Sequence, residues 1–162
     1  MTQEELNQHI HFLQEAIEEA RKGMKAGKGG PFGAVIVKDG QIVARGCNCV
    51  TSTNDPTCHA EVDAIRKACA KLQNFELRDC IIYSSCEPCP MCLGAIYWAR
   101  PKALYFAADR KRAAASNFDD EFIYQEIPLP LEKRTLKMAQ IQVPQRDMPF
   151  EEWDAKPDKT EY

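Results

Sequence analysis

Three side chains with affinity for soft metals and one carboxylate recur in two short stretches, His59-Ala60-Glu61 and Pro88-Cys89-Pro90-Met91-Cys92. An imidazole and two thiols suit zinc, whereas magnesium and calcium take oxygen ligands. His59, Cys89 and Cys92 supply three protein ligands, one fewer than a closed structural site, so a tetrahedral ion held by them keeps a position for water. Glu61 is the acid that such a water needs. Zinc lowers the water's pKa to about 7, and a carboxylate beside it takes the proton and hands it on. The expected chemistry is hydrolytic attack on an sp² carbon bearing an amino group, replacing C–NH₂ by C=O with release of ammonia, and the expected cofactor is one zinc ion per chain.

Two rival readings use the same cysteines. Cys86, Cys89 and Cys92 run C-x-x-C-x-x-C, but an iron–sulfur run of the bacterial ferredoxin type needs a fourth cysteine where Ile96 stands. A closed Cys₃His set of His59, Cys86, Cys89 and Cys92 would make a structural zinc-binding module and leave Glu61 without a task. Taken alone, Glu61 reads as an ordinary solvated helix residue.

The spacing dictates how these residues are carried. Side chains two apart on a regular helix point about 200° apart, so His59 and Glu61 serve one centre only from the N-terminal end of a helix. Cys89 and Cys92, around the first turn of the next helix, meet the same condition, and two helix starts are expected to converge. Helix N-termini carry partial positive charge and favour thiolates.

The remaining elements follow from periodicity. Residues 3 to 26 form an amphipathic helix opened by a Thr2/Glu5 capping box, with Leu6, Ile10, Leu13, Ile17, Ala20 and Met24 on one face. Strands at 34–37 and 42–44 flank the hairpin turn Asp39-Gly40. Asp55-Pro56-Thr57 signals a helix start, 80–84 a buried strand, Pro88 and Pro90 a helix reaching Ala99, and 103–107 another strand. Beyond Ala108 the pattern weakens to a strand at 139–143, a short helix at 149–153 and a polar tail at 156–162. Strands alternating with helices imply right-handed crossovers and an α/β fold with helices on both faces of the sheet.

The 162 residues, 44% hydrophobic, fit a single domain, 1–162. No apolar run approaches the roughly 20 residues of a membrane span, and the acidic Met1-Thr2-Gln3-Glu4-Glu5 lacks the order of a signal peptide, so a soluble, cytoplasmic protein is expected. That setting favours reduced thiols over disulfides for the eight cysteines, with Cys47, Cys49, Cys58, Cys69 and Cys80 as small core or near-core residues. Lys plus Arg number 21 against 24 Asp plus Glu, a net charge of −3 with one short basic run at Arg110-Lys111-Arg112, which counts against a nucleic-acid substrate.

H-x-E with P-C-x-x-C is the zinc deaminase signature, and the chain resembles the cytidine deaminase superfamily, its guanine deaminase branch in particular. The matching segments are Gly29-Gly30-Pro31-Phe32-Gly33-Ala34-Val35-Ile36-Val37, Asn54-Asp55-Pro56-Thr57, Ser85-Cys86-Glu87-Pro88-Cys89-Pro90-Met91-Cys92-Leu93-Gly94-Ala95-Ile96-Tyr97-Trp98, Phe118-Asp119-Asp120 and Glu161-Tyr162. The resemblance implies a three-layer α/β/α sandwich with a five-stranded mixed sheet. It also implies a homodimer with an exchanged C-terminal segment, about 145–162, closing the active site. Guanine, or a related aminopurine, guanosine or aminotriazine, is the implied substrate; a tRNA adenosine deaminase shares the zinc motif. Carried over by position, Asn48 and Asp120 bind the purine with Asp120 also catalytic, Phe32 and Trp98 stack on or line it, and Tyr162 reaches it from the partner.

Each of those five has a plainer reading, as core aromatic for Phe32 and Trp98, turn residue for Asn48, helix cap for Asp120 and frayed end for Tyr162. The chain departs from the pattern at Cys58, where relatives carry alanine before the zinc histidine.

Overall fold

The computed structural model describes residues 1–118 and 120–162. They divide into two compact units, Met1–Glu121 and Phe122–Tyr162.

The first unit opens with α1 (Gln3–Lys25). Its capping box is complete: the Glu5 N–H donates to Thr2 Oγ1 at 3.1 Å and the Thr2 N–H donates to Glu5 Oε2 at 2.6 Å. The buried stripe is Phe12, Ala16, Ala20 and Gly23, about a quarter turn from the expected one, and Leu6, Ile10, Ile17 and Met24 stay 39–44% exposed. Small residues let the helix approach the sheet closely, which outweighs burying the larger side chains on this surface.

β1 (Gly33–Lys38) and β2 (Gln41–Cys47) form the hairpin, with Asp39 and Gly40 both at positive φ as a two-residue turn of this kind demands. There follow α2 (Val50–Thr53), α3 (Ala60–Leu72), β3 (Cys80–Cys86), α4 (Pro90–Ala99), β4 (Ala103–Ala108) and α5 (Arg110–Ala114). The sheet order is β2-β1-β3-β4, antiparallel at β1 with both neighbours and parallel between β3 and β4.

Because β2, β3 and β4 are mutually parallel and advance in one direction, crossovers of one hand must run over one face. Accordingly α3 and α4 share a core with Ala34, Ile36, Ala44 and Ile82, whereas Phe12 and Ala16 of α1 pack on Val35, Val37 and Tyr83 of the other face. The result is an α/β fold with a mixed sheet between helical layers.

Further expectations are corrected. The sheet of the described residues has four strands, not five. Residues 139–143 alternate as a strand would, but backbone ladders need a partner edge, and no strand lies in the unit that contains them. The helix expected from Asp55 begins instead at Ala60. Asp55 Oδ1 accepts from the Thr57 N–H at 2.8 Å and the Thr57 hydroxyl at 2.7 Å, a local turn that satisfies the same residues without a helix.

The second unit contains most of α6 (Glu121–Glu126), a 3₁₀ turn at Leu131–Lys133 and α7 (Met148–Ala155). Arg134 ties its loop by donating to the carbonyls of Leu129 and Ile127. No described residue in it is buried. No helix among the described residues is long and apolar enough to cross a membrane.

Candidate metal centre

The delayed start of α3 puts His59 at its N-cap, with extended backbone at φ −74° and ψ 159°. Cys89 holds the same place on α4, at φ −66° and ψ 167°, with Pro90 opening the helix behind it. Cys92, one turn on, is fully buried and its N–H donates to Cys89 Sγ at 3.5 Å. The two helix starts meet so that His59 Nδ1 lies 3.6 Å from Cys89 Sγ and 3.5 Å from Cys92 Sγ. With Zn–N near 2.0–2.1 Å and Zn–S near 2.3 Å, the N···S edge of a zinc tetrahedron is about 3.6 Å. Both N···S edges therefore match those of a zinc tetrahedron, and the three donor atoms lie within 4.8 Å of one another.

Cys86 does not join them. At the end of β3 its thiol donates to the Asp109 carbonyl at 3.6 Å, and burial first of all pushes it up to about 11. The donor atoms that cluster here are those of His59, Cys89 and Cys92, so among the described residues no Cys₃His set forms.

The electrostatics match a set of metal donors. Cys89 is pushed down to about 4, chiefly by the Cys92 thiol bonded to it, with His59 acting in the same direction against burial. Cys92 is correspondingly held up, first by that bond and then by burial. His59 is raised by its bond to Cys89. A divalent ion would take the place of the protons that these donors share.

Glu61 is on the first turn of α3, 5% exposed, and its carboxyl is raised by burial. Ser84 Oγ on β3 donates to Glu61 Oε1 at 3.0 Å. Sequence reasoning passed over Ser84, yet the signal was there: Ser84 and Ser85 are polar residues in the otherwise apolar Cys80–Cys86 strand, and a buried hydroxyl needs a partner. Ser85 finds one as well, accepting from the Gly33 N–H at 3.0 Å.

Asn48 follows β2 and is 6% exposed. Its Oδ1 accepts from the N–H groups of Gly30 and Val50, each at 3.2 Å, and its own N–H donates to the Phe32 carbonyl at 3.0 Å. The amide oxygen is thus committed to backbone, which fixes the direction of the NH₂ donors. Gly29 makes this possible, since a Cβ there would lie 2.2 Å from Asn48 Oδ1. Phe32 packs against the core on the α3 side and meets Phe118 edge-on at 4.9 Å.

Asp120 is half-buried and raised first by that burial, and its charge interacts with those of His59 and Cys89. Of the segment Phe118-Asp119-Asp120, Asp119 lies outside the described residues. Trp98 is 64% exposed on α4, nine residues and roughly 13 Å of helix rise beyond Cys89, so this chain does not bring it to its own donors. Tyr162 belongs to the second unit and is exposed.

Residues 6–108 match the family described as the cytidine and deoxycytidylate deaminase zinc-binding region. The chain is 57% identical over 154 residues to the guanine deaminase of Bacillus subtilis, covering 95% of this chain and 99% of that one. The crystal structure of the B. subtilis enzyme superposes with a TM-score of 0.93 over 100% of this chain and 99% of its own, at 55% identity. A guanine deaminase structure from Nitrosomonas europaea gives a TM-score of 0.64 at 32% identity, over 67% and 63% of the two chains. The tRNA-specific adenosine deaminase of Aquifex aeolicus is 40% identical over 102 residues, 62% of this chain and 67% of that one.

Proposed function

The chain belongs to the cytidine and deoxycytidylate deaminase zinc-binding family, and on that premise we propose that it hydrolyses guanine to xanthine and ammonia, using one zinc ion per chain held by His59, Cys89 and Cys92. The observation that carries the choice of substrate is coverage. The likeness to the B. subtilis guanine deaminase runs through both units, including residues beyond 108, whereas the A. aeolicus tRNA deaminase matches 62% of the chain.

Zinc, when bound, supplies an acidified water and a polarised centre. The protein's share is proton movement and positioning. Glu61 takes the water's proton and returns protons to the ring nitrogen and the departing amine, a task suited to an acid whose burial has raised its affinity for a proton. Asn48 offers amide N–H donors to the purine's acceptors, and Asp120 accepts from its N–H groups and assists proton transfer. Phe32 offers a ring face to the flat base.

Trp98 and Tyr162 enter through assembly. We read the protein as a homodimer in which the segment 145–162 is exchanged and closes the neighbour's pocket, all of 1–162 acting as one deaminase. Two features support this: α4 exposes Tyr97 and Trp98 together, and the second unit has no buried residue while exposing Ile141, Phe150 and Tyr162.

Ammonia release from guanine, guanosine, cytidine, cytosine, adenine and tRNA tests the reading. Guanine should be the preferred substrate; turnover of guanosine, or of an adenosine in tRNA, with guanine inert would replace it.

A further inference from the structure

A second group of metal-binding side chains stands apart from the first. Cys47 Sγ and Cys49 Sγ, on either side of Asn48 in sequence, are 3.8 Å apart. Asp63, on the first turn of α3, offers a carboxylate oxygen, and the donor atoms of all three lie within 4.8 Å of one another. We propose that Cys47, Cys49 and Asp63 form a second site for a thiophilic divalent ion of the zinc and cadmium class. It shares no ligand with the His59, Cys89 and Cys92 centre.

Geometry supports the choice of ion. For Zn–S near 2.3 Å the S···S edge of a tetrahedron is about 3.8 Å, the separation found here. A disulfide would need the sulfurs to close to about 2.05 Å. The backbone holds the pair at the wider spacing from both sides: the Cys47 N–H donates to Asp63 Oδ2 at 3.2 Å, and the Cys49 N–H donates to the Cys58 carbonyl at 2.9 Å. Cys47 is buried but Cys49 is only half-buried, which leaves an ion an approach from the Cys49 side.

Charge points the same way. Lys67 Nζ lies 2.7 Å from Asp63 Oδ2 and 3.2 Å from the Arg45 carbonyl. With both thiols deprotonated, two thiolates, one carboxylate and one ammonium leave two negative charges, which a divalent ion neutralises. The bonds from Cys47 and Lys67 both go to Oδ2, so the ion can take the other carboxylate oxygen. An ion seated there would stiffen the backbone on both sides of Asn48.

Zinc content separates this site from the catalytic one. Dialysed against micromolar zinc, the full-length protein should hold two ions per chain, the Cys47→Ser/Cys49→Ser variant one, and the His59→Ala variant one. A single ion in the wild type that survives Cys47→Ser/Cys49→Ser but is lost in His59→Ala would overturn the second site and leave the first standing. A readout on unmodified protein avoids dependence on the variants' folding. Saturating cadmium should slow iodoacetamide alkylation of Cys47 and Cys49 by roughly tenfold or more, followed peptide by peptide by mass spectrometry. Alkylation of both at an unchanged rate would refute the proposal.

Discussion

The hydroxyl of Ser84 donates to Glu61 Oε1 over 3.0 Å inside the protein, so the acid on α3 is aimed by the central strand β3 as well as by its own helix. The proposed proton shuttle needs a carboxyl that is held at one place while its charge changes, and this bond helps to hold it. Replacing Glu61 with Gln should retain zinc and lower kcat by at least 10²–10⁴, the range typical of a positioned acid–base group. Ser84→Ala leaves a buried carboxylate oxygen short of its donor, a penalty of about 1–3 kcal/mol. It should lower kcat roughly tenfold or more with zinc content unchanged. Steady-state kinetics with metal analysis checks both; full turnover by Glu61→Gln would remove it from the shuttle role.

Cys86 and Cys89 are three residues apart and should behave oppositely. Cys89→Ser removes a donor and should abolish stoichiometric zinc at the catalytic centre together with activity, well beyond the roughly 10–100-fold contributed by partners outside the ligand set. Cys86→Ser should keep both, because its thiol faces the Asp109 carbonyl. Loss of zinc in Cys86→Ser would reinstate the closed set.

Gly29 sets the position of Asn48. An alanine there would carry its Cβ to 2.2 Å from Asn48 Oδ1, and the side chain must move. Gly29→Ala should therefore raise KM for guanine about tenfold or more, as should Asn48→Ala, while leaving zinc stoichiometry intact. Unaltered KM in both variants would take Asn48 out of the purine site.

Tyr83, buried beneath α1, shares a 2.8 Å bond with His9 Nδ1, and its hydroxyl is pushed up to about 12 by burial and then by Tyr105. Between about 10, where the unfolded chain ionises, and 12, the folded chain holds a proton that the unfolded chain has lost, so stability falls as pH rises. The two-unit gap corresponds to about 2–3 kcal/mol. Tyr83→Phe should start less stable at neutral pH but lose less across that alkaline window. Urea titrations at a series of pH values would show it; equal losses in both proteins would contradict the assignment.

Much of this was legible in the sequence because the informative residues are local. Spacing alone required that His59, Cys89 and Cys92 meet at helix starts, and the capping box and the Asp39-Gly40 turn are short-range chemistry that tertiary packing does not override. The failures are of another kind. Which face of α1 is buried depends on how closely the sheet lets a helix approach, which the 3.6-residue period does not encode. Asp55 and Thr57 carry helix-start chemistry but satisfy one another in a turn. The 139–143 run has strand alternation without the edge that would make it one. Ser84 and the Cys47, Cys49 and Asp63 group depend on contacts between distant segments and become visible in three dimensions.

The central claim is an open zinc site, and X-ray absorption at the zinc edge tests it most directly. It is best done on Cys47→Ser/Cys49→Ser protein loaded with one zinc per chain and active on guanine, so that only the catalytic ion is seen. The expected result is a four-coordinate shell of two sulfurs, one imidazole nitrogen and one further light atom from solvent, with Zn–S near 2.3 Å. A shell of three sulfurs and one nitrogen in active enzyme would contradict it.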